Sequence, residues 1–223
     1  MKRIVLAGNA VTAEILVRYL QADPRYQVIG LTVDDAYVEG GSRFDLPVIG
    51  LSRLAETFPA ADCAIVMAMG YGMVNAHRRS MFERLKAMGY GIETYRHPQA
   101  MIHTAHPIGE GSVILPGALV EPEVRIGADT MIWGNVTVAH HATVGDHAWI
   151  ASGAVISGKA VIGDQCFIGV NATIVNAVTV GAGTIVGGGA LITRDVEPDT
   201  VHLARSAEKF RFGAQDYARH FGF

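Results

Sequence analysis

IWGNVT (132–137), VAHHAT (138–143), VGDHAW (144–149), IASGAV (150–155), ISGKAV (156–161), IGDQCF (162–167) and IGVNAT (168–173) follow one another without a gap. They belong to a longer run, residues 102–197, that divides throughout into six-residue units. Every unit opens on an aliphatic residue: Ile102, Ile108, Ile114, Val120, Ile126, Ile132, Val138, Val144, Ile150, Ile156, Ile162, Ile168, Ile174, Val180, Val186 and Ile192. Four residues after the opener the side chain is mostly small, as in Ser112, Ala118, Thr130, Ala142, Ala154, Cys166 and Ala190. A period of six fits neither an amphipathic helix nor simple strand alternation. It is the pattern of a parallel β-helix, in which each unit is a short strand plus a corner. Three units make one triangular turn, so residues 18 apart should stack. The opener points inward, the small residue sits where two faces converge, and the Gly that often follows the opener is expected to relieve the corner's dihedrals.

The composition narrows what else the chain could be. At 223 residues and 50% hydrophobic, it can bury one or two cores. A net charge of −3 without long charge runs argues against nucleic acid or an anionic membrane surface as partner. Two cysteines, Cys63 and Cys166, make no disulfide framework and read as reduced core residues. The apolar run 4–8 is too short for a signal peptide, and no stretch has transmembrane length. The expected location is cytoplasmic.

Ahead of the repeat, strands alternate with helices. Residues 3–8, 26–32, 47–50 and 63–69 read as strands. Residues 51–58 and 75–88 read as helices, as does the segment whose Ala13, Leu16, Val17 and Leu20 share one face. This alternation predicts a small doubly wound, Rossmann-like α/β domain over residues 1–97. Ligands of such sheets sit at the carboxyl ends of the strands, which places Gly8, Asn9, Asp34, Asp35 and residues 70–72 on one rim. An acidic residue after the second strand suits a ribose hydroxyl, although Asp34-Asp35 is equally ordinary loop chemistry. One glycine within residues 8–11 falls short of the dinucleotide fingerprint and argues against NAD. Pro98 marks the boundary to an all-β coil over 98–200. The basic, aromatic tail, 201–223, is expected to contain a helix that covers the open end of the coil and its strand edges.

The coil carries few ionisable residues, so His140 and His141 stand out. They take the third and fourth slots of their unit, at a corner, with His140 expected on an exposed vertical edge. A neutral imidazole there suits removal of a proton from a hydroxyl or ammonium group. His141, Asp146 or a residue of another subunit would fix its tautomer. Eighteen residues on lies Gly158, and 18 back lies Pro122, small or rigid neighbours that leave a groove for a long, thin ligand. Residues 187–189, all Gly, open similar space, where main-chain N–H groups can hold carbonyl oxygens. Three histidines invite zinc. However, His141 stacks between Glu123 and Lys159, and His147 between Asp129 and Gln165, so one chain offers no His column. No metal is expected, and a metal would need a site shared between subunits.

A small α/β domain followed by six-residue coils resembles the left-handed β-helix acyltransferases. It is most similar to the sialic acid O-acetyltransferase and bacillosamine N-acetyltransferase group, across essentially the whole chain. The most specific stretches are 140–158, 168–172 and 187–190. The resemblance implies a homotrimer using acetyl-CoA, with active sites between neighbouring coils and a nucleotide-activated sugar as acceptor. It places the catalytic base on His140, with His141 following it. Main-chain contacts to CoA fall on Gly158 and Gly188, with Val170 beside the pantetheine. The sugar nucleotide falls on Gly8, Asn9, Thr12, Asp34 and Asp35. Three positions depart from the group's pattern: His141 replaces an acidic residue, Thr12 a His, and Trp133 an Asn, with Asn135 nearby. These point to a different acceptor or pocket shape. The implied activity is direct acetyl transfer to an amino or hydroxyl group of a nucleotide-linked sugar. A γ-carbonic-anhydrase-like metalloenzyme and a non-catalytic trimeric nucleotide-sugar binder are the rival readings.

Overall fold

The computed structural model describes residues 1–38 and 40–222. In the N-terminal part, β1 (Lys2–Ala7), α1 (Val11–Ala22) and β2 (Tyr26–Val33) are followed by β3 (Ser42–Arg43) and β4 (Leu46–Gly50). Then come α2 (Leu54–Thr57, one turn), β5 (Ala64–Met67) and α3 (Ala76–Ala87). The sheet has the order β3-β4-β2-β1-β5, parallel except for the β3–β4 pair. Alternation along β1 explains the layering. Ile4 and Leu6 pack with Ala13, Leu16, Val17 and Leu20 of α1 on one face. Val5 and Ala7 pack with Leu54, Met81, Phe82 and Leu85 on the other.

The remainder is a parallel β-helix built of two-residue strands. Its three sheets stack residues 18 apart, as in Thr137↔Val155, Trp149↔Phe167 and Val161↔Thr179. The first coil strand, Tyr95–Arg96, pairs with Val113–Ile114 and therefore lies within the stretch read as the α/β domain. Val201–His202 adds a last strand beside Ile185–Val186. The openers form the core, with Ile114, Val120, Ile132, Val138, Ile150, Ile156, Ile168 and Ile174 all at 0% exposure. Burying each such side chain contributes about 1.5–3 kcal/mol. The fifth slot becomes polar in one column, where it satisfies an inward carbonyl. Ser112 and Thr130 donate to the carbonyls of Gly127 and Gly145, both at 2.7 Å, and the Cys166 thiol to that of Gly181 at 3.1 Å.

The corners correct one expectation. The glycines after the openers do not adopt left-handed backbone; the fourth slot does, at Glu123, Asp129, Asn135, His141, His147, Lys159, Gln165 and Asn171 (φ 48–63°). Second-slot glycines answer to close approach instead. A Cβ on Gly127 would stand 2.6 Å from the Gly145 carbonyl carbon, and one on Gly169 2.5 Å from the Gly188 nitrogen.

One sheet of the coil carries large apolar residues on its outward face, and there the α/β domain docks. Val113, Met131 and Trp149, together with Leu115 and Ala151, join the α1 side of the core. α3 lies along the adjacent vertical edge. Asn75 Nδ2 donates to the carbonyls of Gln165 and Cys166 (3.1 Å each). Arg78 is fully buried, donating to Asp129 Oδ2 at 3.2 Å and to the carbonyls of His147 and Ala148 at 2.8 and 3.1 Å.

The tail corrects a second expectation. α4 (Ala214–Phe221) has no buried residue, so this helix does not close the coil. Its aromatic face packs on its own neighbourhood instead, Phe210 against Tyr217 at 5.3 Å and Tyr217 against Phe221 at 4.5 Å. An eight-residue helix offers too little apolar surface to plug a triangular end. Phe223, the last residue of the expected tail, lies outside the described residues.

Candidate active site

His140 and His141 occupy the turn between the strands Thr137–Val138 and Thr143–Val144. Both are exposed, and the left-handed φ of His141 (63°) turns its side chain back toward His140. The two Nδ1 atoms are 3.3 Å apart. Such a contact is attractive only when one Nδ1 carries a proton and the other a lone pair. With His140 Nδ1–H as donor, His140 Nε2 is left as an acceptor, the state a general base needs.

Gly158 stacks on His140 as the 18-residue step requires. A Cβ there would lie 2.6 Å from His140 Cε1 and 2.7 Å from Nε2. Gly158 has no left-handed φ, so the imidazole, not the backbone, demands glycine. Gly158→Ala is therefore expected to push the His140 ring aside. The His140 ring resonances, followed by NMR beside an unchanged melting curve, would check it; unmoved resonances would mean that the ring already leaves room for a Cβ.

Val170 and Gly188 come together on a different edge. Val170 is 53% exposed, and a Cβ on Gly188 would meet its carbonyl oxygen at 3.3 Å. That edge borders the docked sheet, whereas the His140–Gly158 edge lies between the two sheets the α/β domain leaves uncovered. The expected cofactor contacts thus fall on two edges of one coil.

A second feature opens at the carboxyl ends of β1, β2 and β5. It is a cleft of about 440 Å³ lined by Gly8, Asn9, Asp34 and Tyr37, by residues 68–70, and by His77, Ser80, Met81 and Arg84 of α3. Gly8 is required here, with φ 128° and a Cβ position only 2.6 Å from the Ala68 oxygen. Asn9 Nδ2 donates to the Tyr37 carbonyl at 3.1 Å, and Arg84 pairs with Asp34 Oδ1 at 2.5 Å. Asp35 and Thr12 do not line the cleft. The Asp35 carboxylate accepts from Ser52 Oγ (2.6 Å) and lies against Gly50, while Thr12 is buried on α1. The α3 contributors went unnoticed in the sequence, although 77, 80, 81 and 84 have the spacing of one helix face.

Cys166 offers no nucleophile: it is fully buried, and burial pushes its thiol up to about 11. Among the described residues, no group of three or more His, Cys, Asp or Glu could hold a metal ion.

Residues 108–140, 123–158, 141–176 and 159–194 match the family described as Bacterial transferase hexapeptide (six repeats). Among solved structures, the acetyltransferase domain of PglB from Neisseria gonorrhoeae FA1090, in complex with acetyl coenzyme A, is similar at 25% identity. That match covers 94% of this chain and 99% of that one, with a TM-score of 0.82. The coil, over residues 108–194, carries the bacterial transferase hexapeptide repeats. The parallel sheets and repeats fit a left-handed β-helix. Two further structures share the fold. PerB from Caulobacter crescentus, in complex with CoA and GDP-perosamine, is 21% identical over 92% of this chain and 95% of that one (TM-score 0.81). WeeI from Acinetobacter baumannii AYE is 23% identical over 90% and 96% (TM-score 0.79). No curated protein sequence matches the chain. Among the described residues, none from the coil lines the cleft.

Proposed function

We propose that the chain transfers the acetyl group of acetyl-CoA directly to an amino group of a nucleotide-linked sugar, with His140 as general base. The observation that carries this is the His140 ring packed against Gly158, its Nδ1 engaged by His141. His140 Nε2 takes the proton of the acceptor nitrogen as that nitrogen attacks the thioester carbonyl. The tetrahedral intermediate's oxyanion is held by a main-chain N–H. Collapse expels the CoA thiolate, which takes the proton back from His140. An amine is favoured over a hydroxyl because the similar solved proteins include a perosamine N-acetyltransferase.

The α/β domain serves, on this reading, as a Rossmann-like nucleotide-sugar domain. Gly8, Asn9 and Asp34 meet the nucleotide portion in the cleft, with Arg84 released from Asp34 to face phosphate. Thr12 and Asp35 support the turn and the loop behind them. Gly158 on one edge, and Val170 with Gly188 on another, hold the pantetheine arm. A single ligand meets both edges only when two coils stand side by side, which supports a homotrimer with its sites at the subunit contacts. Among the described residues, no helix is long and apolar enough to cross a membrane. We place the reaction in the cytoplasm.

Thermal stabilisation tests the reading. Acetyl-CoA at about 100 times its dissociation constant should add roughly 2.7 kcal/mol of stability, and a nucleotide diphosphate-sugar should add a second, independent shift. No shift with acetyl-CoA would sink the transferase reading, whatever the sugar does.

A further inference from the structure

Where the third slot of a unit is not proline, its N–H finds no backbone carbonyl. In the His140 unit the second-, fourth-, fifth- and sixth-slot amides are all bonded: Ala139 to Ile156, His141 to Pro122, Ala142 to Ala139 and Thr143 to Ala160. The third-slot N–H faces outward with no carbonyl to meet. At Ala128 and Asp146 that donor is taken by an aspartate one turn later, Asp146 Oδ1 at 2.7 Å and Asp164 Oδ1 at 2.9 Å. At His140 it is taken from the opposite direction. Glu121, in the second slot of the unit one turn earlier, reaches up so that its Oε2 accepts from His140 N at 2.7 Å.

That bond completes the hold on the His140 turn. The His140 carbonyl accepts from Lys159 N at 2.9 Å, and His141 N donates to the Pro122 carbonyl at 3.2 Å. With Glu121 in place, the backbone on both sides of the imidazole is tied to the turns below and above. A charge-assisted bond of this length is stronger than a neutral one, and an exposed turn has little else to keep a ring within tenths of an ångström of its working position.

We propose that Glu121 is a positioning residue for the reaction: its carboxylate pins the His140 amide and so holds the imidazole over Gly158. The inference rests on the acetyl-transfer reading of His140. Glu121→Ala is expected to lower kcat by about 10–100-fold, by displacing the base, with KM for both substrates within about two-fold and the melting temperature unchanged. Glu121→Gln keeps an acceptor oxygen and is expected to stay within about three-fold of the parent chain. A Glu121→Ala variant with normal kcat, a loss confined to KM, or a Glu121→Gln variant as slow as Glu121→Ala would each overturn the inference. Labelling the histidines with ¹⁵N supplies a readout that needs no activity. The His140 amide proton should lie downfield in the full-length chain and move upfield in Glu121→Ala. Absence of that shift overturns the anchoring outright. Its presence in a chain that transfers no acetyl group would overturn the transferase reading alone.

Discussion

Replacing His140 with alanine is expected to lower turnover by about 10²–10⁴-fold, the usual contribution of a positioned general base. The effect should fall on kcat. His140 lies on an exposed edge and contributes nothing to the core, and the pantetheine contacts proposed at Gly158, Val170 and Gly188 are main-chain or apolar. The variant should therefore still be stabilised by acetyl-CoA, to the same degree as the parent chain. Single-turnover kinetics beside a thermal shift separate the two effects. Unchanged turnover with intact binding would show that the acceptor loses its proton to another group, and His140 would lose its assigned role.

The second large effect is on stability. Arg78→Ala is expected to destabilise the chain by about 3–5 kcal/mol, because it leaves Asp129 buried without its cation. Asp129 is 2% exposed, and its remaining polar partner is His147 Nδ1 at 2.9 Å. Burial pulls the Arg78 guanidinium below the ordinary arginine value, and the Asp129 charge beside it works in the opposite direction. Cutting either partner exposes one side of that balance. For a chain of this size the loss corresponds to a fall of roughly 6–20 °C in melting temperature. Replacing both, as Arg78→Met with Asp129→Leu, should cost less than either single change, since an apolar pair removes both desolvation penalties. Denaturant unfolding of the three variants decides it. Additive losses would mean that the two charges do not act as a pair. The same variants bear on function, because α3 presents His77, Ser80 and Arg84 to the cleft while Arg78 ties it to the coil.

Arg78 also marks where reading the chain stops short. Residues 75–88 announce a helix with several cationic side chains, and nothing in their order says that Arg78 is buried while Arg79 and Arg84 face solvent. The cleft is similar. Gly8, Asn9 and Asp34 follow from the rule that strands of a parallel sheet deliver ligands at their carboxyl ends, yet Asp35, adjacent to Asp34, turns away to Ser52. A one-residue step along a turn reverses a side chain, and composition carries no information about that reversal.

By itself, the sequence determined the coil. Its ladder repeats every 18 residues, so inward positions, stacked neighbours and the pairing of His140 with Gly158 follow from counting along a strictly local period. It also determined the alternation that makes a parallel sheet ahead of the coil. Only the tertiary structure decided which of three sheets receives the α/β domain, and hence that His140 stands on the edge facing away from the cleft. That choice rests on shape and desolvation across residues far apart in the chain, Asn75 and Arg78 against Asp129, His147 and Gln165. No periodicity encodes such contacts, because they depend on how two finished surfaces fit.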